Sequence, residues 1–378
     1  MPEVASLPPE AWCVALTALP EMGPARLRAV LGQWAPEQAW RRVASGRAAS
    51  VRAVAEALGP RAASLPATWA RAAADLDPAT LWRRHVDQGV GVSLAGSPSY
   101  PACLAGDPEP PAVLFHRGDP DVASGPRVAV VGTRTCTRYG LDVARELGHD
   151  LAAAGVRVVS GLALGIDGAA HRGAIEAAGA PPVGVVGSGL DVVYPRAHRR
   201  LWETVERDGA LYSEAALGAQ PAPWRFPARN RIIAGLADLV VVVESGERGG
   251  ALHTVAEAAR RDRPVMAVPG PVRSAASAGT NRLLAEGCAP VCDIDDVLCA
   301  LGLSPGGRRP DVDPRTPPTA EDEALLEAMG WRPTTLDALS AATGRPLPTL
   351  ALAVARLADA GWLECRGAWY ERIARPEP

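Results

Sequence analysis

Lysine is absent from this sequence of 378 residues, and all 39 of its basic residues are arginine. They face 42 acidic residues, and the formal net charge of −3 excludes a uniformly basic coat protein for nucleic acid. The charge is uneven, because residues 1–126 sum to −1, residues 127–286 to +3 and residues 287–378 to −5. Any contact with phosphate must therefore come from guanidinium groups, which are planar and can bind two oxygens at once.

Paired cysteines and long apolar runs are also missing. The seven cysteines form no C-x-x-C pair, and no histidine or further thiol has metal-ligand spacing to Cys288, Cys292 and Cys299. The sequence begins without a basic and apolar leader, and no stretch approaches the roughly 18 uncharged apolar residues of a membrane span. We therefore expect a cytoplasmic protein with no membrane span, no metal and no cofactor.

Glycine and proline, 38 and 36 residues, act as punctuation and divide the chain into four parts. Residues 1–85 read as short helices, with a hairpin pattern around Gly23-Pro24 whose turn either approaches a DNA phosphate or belongs to a small helical bundle. Residues 86–303 form the α/β part, and residues 304–318 read as a linker. Residues 319–378, with three amphipathic segments and a short hairpin, have the pattern of a winged helix.

The central part alternates short apolar strands with helices of about ten residues, which predicts a Rossmann-like, doubly wound parallel sheet. An additional strand is expected at the edge of the sheet, over residues 112–117. Predicted strands cover residues 128–131, 156–160, 183–187, 210–213, 239–244 and 265–268. Predicted helices cover residues 139–154, 167–178, 198–208, 230–236, 253–261 and 280–286.

Glycine-rich turns follow four of these strands, at the edge where parallel sheets bind ligands. No turn matches a dinucleotide or mononucleotide fingerprint, so a nicotinamide cofactor is not expected. Glycine lets the backbone approach a ligand, and helix N-termini offer unpaired N–H groups. Four such turns on one face favour a groove for a polyanion; they are Gly132-Thr133-Arg134, residues 160–165 with Ser160-Gly161, residues 187–189, and residues 245–250 with Arg248.

The segment Phe226-Pro227-Ala228-Arg229-Asn230-Arg231 places an aromatic ring next to two cations. In one interpretation Phe226 stacks on a base, Arg229 and Arg231 reach phosphates, and Asn230 caps a helix. In the other, Phe226 belongs to the core and the arginines form a solvated face. Asp167 and His171, four residues apart on one helix, are read as a cap and its packed neighbour in preference to a catalytic pair.

These motifs together resemble the DNA-processing protein A (DprA/Smf) family. The resemblance rests on six motifs in order: Gly132-Thr133-Arg134, Ser160-Gly161 through His171, residues 189–195, Ser213-Glu214, residues 226–236 and residues 267–270. It extends to a SAM-like N-terminal domain and a C-terminal winged helix. The turn at residues 245–250 departs from the family pattern, so a DNA contact by Arg248 is less well supported.

The resemblance implies a homodimer without enzymatic activity that binds single-stranded DNA, protects it during natural transformation and loads the RecA recombinase. Carried over by motif, Gly132, Thr133, Arg134, Ser160, Gly161, Phe226, Arg229, Asn230, Arg231 and Arg248 would line the DNA groove. The acidic winged helix is expected to have a protein-contacting or regulatory role in preference to binding DNA. The alternative is a LOG-type nucleoside-monophosphate phosphoribohydrolase, because residues 249–257 contain a Gly-Gly turn followed by Thr254 and Glu257, with an extra residue before Thr254.

Overall fold

The computed structural model describes residues 7–303 and 315–373. Within these residues the α-helices are α1 (Pro9–Thr17), α2 (Pro24–Leu31), α3 (Pro36–Ala44), α4 (Arg52–Leu58), α5 (Leu65–Ala74), α6 (Pro78–Asp87), α7 (Arg138–Ala153), α8 (Ile166–Glu176), α9 (Arg199–Asp208), α10 (Arg225–Leu236), α11 (Ala251–Ala259), α12 (Ala278–Ala285), α13 (Ile294–Ala300), α14 (Ala320–Met329), α15 (Leu336–Thr343) and α16 (Leu347–Asp359). The strands are β1 (Gly91–Leu94), β2 (Val113–Gly118), β3 (Arg127–Val131), β4 (Arg157–Ser160), β5 (Val183–Val185), β6 (Ala210–Ser213), β7 (Leu239–Val242), β8 (Val265–Ala267), β9 (Ala289–Pro290), β10 (Leu363–Arg366) and β11 (Trp369–Arg372).

Strands β1 to β9 form one sheet in the order β1-β2-β6-β5-β4-β3-β7-β8-β9. The seven strands that are neighbours in the order β6-β5-β4-β3-β7-β8-β9 all run parallel, which confirms the predicted doubly wound, Rossmann-like sheet. The prediction that residues 112–117 form an edge strand was wrong, because β2 lies between β1 and β6 and pairs antiparallel with both. Glycine at the start of β1 permits this extra pairing, since a Cβ at Gly91 would lie 2.2 Å from the ring of His116.

Alternating residues of the central strands face the two helical layers. Val128 and Val130 of β3, with Val241 of β7, pack against α7, α8 and α13. Ala129 and Val131 pack on the opposite face, against α10, α11 and α12. This period of two explains why the central strands are apolar throughout: helices cover both of their faces.

The N-terminal helices α1 to α6 pack beside the β1-β2 end of the sheet. A turn joins α1 to α2 at Gly23-Pro24, and the indole N–H of Trp69 donates to the Pro20 carbonyl at 2.9 Å. Helix α1 packs mainly on α3 and α6, and α2 packs mainly on α4, so both belong to a helical bundle. The turn between α1 and α2 lies near the ends of β5 and β6, where Met22 and Pro24 share a groove with Trp224 of the central part. A DNA contact by this turn stays a prediction.

The C-terminal segment forms three helices and a two-stranded hairpin of β10 and β11 around a separate small core that includes Leu326, Leu350 and Leu363. Most of the predicted linker, residues 304–314, lies outside the described residues. The third helix, α16, has the place of a recognition helix, and its exposed side carries Ala351, Leu352 and Ala355. Its one arginine, Arg356, is bound to Asp322 at 2.6 Å. This surface lacks the cations that a DNA-reading helix supplies.

Candidate nucleic-acid interface

A cleft opens at the point where the strand order of the sheet reverses. From β3 the chain builds β4, β5 and β6 to one side, and β7 then returns to pair with β3 on the other. In open α/β sheets, ligands bind in the crevice at this point, outside the carboxyl ends of the strands. Here the crevice is a cavity of about 630 Å³. It is lined by residues 131–135 at the end of β3, Ala163 and Asp167 after β4, Pro223, Phe226, Pro227, Arg229 and Asn230 around the start of α10, Gly250, Ala251, His253 and Thr254 at the start of α11, and Tyr194.

The loop after β3 is held in place by hydrogen bonds to a buried carboxylate. Glu244, which follows β7 and is only 2% exposed, accepts hydrogen bonds from the backbone N–H of Thr137 at 2.7 Å and from its hydroxyl at 2.8 Å. The Glu244 carbonyl accepts from the N–H of Thr133 at 2.8 Å. Glycine is required at 132, where a Cβ would lie 2.4 Å from the side chain of Ile166. The loop is therefore preorganised, and it leaves the side chain of Arg134 exposed.

Arg134 lies over an aromatic pair on the opposite wall of the cleft. Its guanidinium carbon is 4.8 Å from the ring centroid of Phe226, whose ring is 5.5 Å from that of Tyr194. Phe226 is half-buried and Tyr194 is 40% exposed. The ring of Phe226 therefore keeps an accessible part beside a cation. The ring and the guanidinium are close enough together to hold the planar base and the phosphate of one nucleotide.

Arg229 forms the inner end of the same cleft. Its guanidinium donates to the Gly161 carbonyl at 3.1 Å and lies 3.9 Å from a carboxylate oxygen of Asp167, which accepts from the Gly161 N–H at 3.1 Å. Burial lowers the pKa of Arg229 and raises the pKa of Asp167, while each opposes the shift of the other. A Cβ at position 161 would fall 1.6 Å from a guanidinium nitrogen of Arg229, so any larger residue there would displace this guanidinium.

The other predicted site residues occupy different surroundings. The Ser160 hydroxyl is fully buried and donates to the Val130 carbonyl at 2.6 Å. Arg231 is also buried, in an ion pair with Glu214 and a 2.7 Å hydrogen bond to the Glu109 carbonyl. Arg248 is exposed on the loop after β7. The structure thus brings Gly132, Thr133, Arg134, Gly161, Phe226, Arg229 and Asn230 to the cleft, and it places the side chains of Ser160 and Arg231 elsewhere.

Two helix-capping predictions were wrong. Asn230 lines the cleft from inside α10, because this helix begins at Arg225, five residues before the predicted start. Asp167 lies inside α8, for which Gly165 is the N-cap. His171, one turn after Asp167, is fully buried, and burial lowers its pKa to about 3. A neutral, enclosed imidazole fits packing and offers no proton at the cleft.

Three contributors to the cleft were not identified from the sequence. Tyr194 belongs to the motif at residues 189–195 but was given no binding role, yet its ring completes the aromatic wall. Glu244 was noted only as the end of a strand, and His253 is an exposed residue of α11 on the rim. A Tyr-Pro pair in a loop and a carboxylate closing an apolar strand were the available signals. In residues 7–303 and 315–373, no three His, Cys, Asp or Glu side chains are grouped to hold a metal ion, and none of the helices has both the length and the apolar composition of a membrane span.

Family models match most of the sequence. A model described as DNA recombination-mediator protein A matches residues 92–302, and one described as DprA winged helix domain matches residues 309–358. The chain is 41% identical over 273 residues to the putative DNA processing protein DprA of Mycobacterium tuberculosis H37Rv, which covers 70% of this chain and 69% of that protein. It is 35% identical over 291 residues to the protein Smf of Escherichia coli K12, which covers 74% and 77% respectively.

Solved structures give the same result. DNA processing protein A (DprA) from Streptococcus pneumoniae matches with a TM-score of 0.62 and 32% identity, over 77% of this chain and 96% of that chain. DNA processing protein A from Helicobacter pylori, described in terms of its single-stranded DNA binding mode, matches with a TM-score of 0.50 and 26% identity, over 56% and 95%. The chain therefore belongs to the DNA recombination-mediator protein A family.

Proposed function

We propose that this chain is a cytoplasmic, homodimeric protein that binds single-stranded DNA in the cleft at the switch point of its sheet. In natural transformation it would protect incoming DNA and load the RecA recombinase on it, without catalysing a reaction. The observation that carries the proposal is the position of Arg134 over the half-buried ring of Phe226, in the cleft that Arg229 closes.

Single-strand binding needs a cationic track for the backbone and aromatic faces for the bases, with little reading of base edges. Arg134 can supply the first and Phe226 with Tyr194 the second. Arg229 has part of its charge balanced by Asp167, so it favours a phosphate less than a free guanidinium would. We therefore assign the main phosphate contact to Arg134, with Gly132, Thr133, Gly161 and Asn230 shaping the groove around it, and a further contact to Arg248.

Few cations serve each cleft, and this supports binding by two subunits. The central residues 127–286 have a surplus of only three positive charges. Stacking contributes about 1–3 kcal/mol per base, and a single exposed charge contact contributes about 0.2–1 kcal/mol. Two clefts on one strand would combine their affinities. A mutant that is unable to dimerise should bind long strands more weakly than the parent protein does.

Salt titration of strand affinity tests the proposal. Binding of fluorescent single-stranded and double-stranded oligonucleotides is measured for the parent protein and Arg134→Ala. The parent protein should prefer the single strand, with an affinity that falls steeply with salt, and the variant should bind weakly with a shallower slope. Arg52→Ala, which removes the same charge from an exposed i,i+4 pair on α4, is the control. Equal binding by Arg134→Ala and the parent protein would contradict the proposal.

The phosphoribohydrolase alternative places different demands on the same cleft. Thr254 does line the cleft, but the Glu257 carboxylate is turned to Arg261 at 2.5 Å and Arg260 at 3.4 Å. The acid that would have to face a ribose is thus engaged elsewhere. Incubation with AMP or CMP should release no free base, and release at a rate that depends on Thr254 would favour the enzyme.

A further inference from the structure

The loop after β8 carries an exposed residue pair that has no role in the cleft. Val272 is 90% exposed, the most exposed large apolar side chain in the described part of the protein, and Arg273 beside it is also exposed. An exposed branched apolar side chain points to a binding surface when the backbone that carries it is held in place. The backbone of this loop is held in place.

Four hydrogen bonds fix this loop. The side-chain amide of Asn281 donates to the Gly270 carbonyl at 3.0 Å and its oxygen accepts from the Gly270 N–H at 3.2 Å. The Tyr139 hydroxyl donates to the Pro269 carbonyl at 3.0 Å. The Ser274 N–H donates to the Pro271 carbonyl at 2.9 Å, which closes a turn over Val272 and Arg273. The N–H of Gly279, in the first turn of α12, donates to the carbonyl of Ser245 at 2.7 Å and so links the loop after β7 to the helix that follows the loop after β8. We call these two loops the platform; it lies beside the loop that carries Arg134.

Strand order places three exposed arginines in sequence along this edge. Arg134 follows β3, Arg248 follows β7 and Arg273 follows β8, and these three strands are direct neighbours. Strands lie about 4.8 Å apart, so the ends of β3 and β8 are separated by about 10 Å. Among the residues that the structure describes, none of the three guanidinium groups has a carboxylate partner. Arg282, nearby on α12, is by contrast bound to Glu286 at 2.7 Å.

We propose that single-stranded DNA leaves the cleft across this platform, with Arg273 binding a backbone phosphate and Val272 packing on the adjoining sugar or base. The inference rests on the proposed function and adds a binding site and a direction to it: the strand runs from Phe226 past Arg134 and Arg248 to the loop after β8. Unlike the cleft, this site holds only strands long enough to span from one to the other. Exposed Glu247 beside Arg248 is the acidic side chain that the strand must pass.

Oligonucleotide length separates the two sites. Fluorescence anisotropy with oligo(dT) of about 4 to about 16 nucleotides, the range of site sizes for single-strand binding folds, is measured for the parent protein, Arg273→Ala and Arg134→Ala. Arg273→Ala should bind the shortest strand normally and the longest roughly two- to fivefold more weakly. Its salt slope on the longest strand should be shallower by about 0.7, the contribution of one phosphate. Arg52→Ala, on α4, is the matched control for loss of charge.

The outcomes distinguish this inference from the proposed function. If Arg134→Ala weakens binding at every length while Arg273→Ala equals the parent protein throughout, the exit path is refuted and the cleft stands. If neither variant weakens binding, the proposed function itself fails. If Arg273→Ala or Val272→Ala converts a dimer to a monomer in sedimentation, and affinity falls only with that change, the loop contacts a second copy of the chain and the DNA site is refuted.

Discussion

Replacing Phe226 by leucine is the sharpest test of how the cleft binds a strand. The ring of Phe226 is half-buried, and its centroid lies 4.8 Å from the guanidinium carbon of Arg134 and 5.5 Å from the ring centroid of Tyr194. Leucine keeps most of the apolar volume, so we expect the free energy of unfolding to fall by less than about 1.5 kcal/mol. Loss of the aromatic face should cost about 1–3 kcal/mol of binding, or roughly 5- to 150-fold in Kd.

The contact between Arg134 and Phe226 gives a second, independent prediction. An exposed cation over a ring contributes about 0.5–1 kcal/mol, so the losses of unfolding free energy from Phe226→Leu and Arg134→Ala should fall short of additivity by that amount in a double-mutant cycle. Urea titrations give the four free energies of unfolding, and anisotropy with labelled oligo(dT) gives the affinities. Trp369→Leu, which alters a 54% exposed aromatic on β11, should bind as the parent protein does. Binding by Phe226→Leu within twofold of the parent protein would refute base stacking at this ring.

Three further predictions concern packing, pH and the C-terminal segment. Gly161→Ala should displace the Arg229 guanidinium, and we expect it to lower the free energy of unfolding by about 1–3 kcal/mol and to weaken strand binding. Gly106 has open space for a Cβ, so Gly106→Ala should change neither stability in thermal melts nor binding in anisotropy. Below its ordinary pKa of about 6.5, His171 takes up a proton only when unfolded, so between pH 7 and pH 5 it should remove about 2 kcal/mol of stability. Urea titrations should find that loss smaller in His171→Leu, and an unchanged pH dependence would contradict the burial argument. Deletion of residues 305–378 should leave single-strand affinity within about twofold, and a large loss would contradict a protein-contacting role for the winged helix.

Much of the fold could be predicted from the sequence because the central strands are short, apolar and separated by glycine turns. The predicted strand at residues 210–213 matches β6, and the predicted helix at residues 198–208 differs from α9 only in its first residue. The start of α10 could not be predicted in this way, because Pro227 was taken as a residue outside the helix. Proline costs nothing in the first turn, where N–H groups have no intrahelical acceptor, so the helix includes it and begins at Arg225.

Strand pairing was less accessible to sequence reasoning than strand position. Residues 112–117 follow a proline cluster, which is typical of an edge, but β1 adds outside them and turns β2 into an interior strand. The four residues of β1 carry little pattern of their own, and their pairing depends on the space that Gly91 leaves for the ring of His116. Such complementarity joins residues distant in sequence, and periodicity does not encode it.

Local spacing and composition were enough to predict the alternation of strands and helices, the glycine turns at one edge of the sheet and the use of arginine for every cation. Which arginines face the cleft depends on how the chain folds. Arg229 and Arg231 are two residues apart on α10, so they point about 200° apart around the helix. One reaches the cleft beside Gly161, and the other is buried against Glu214 and Glu109.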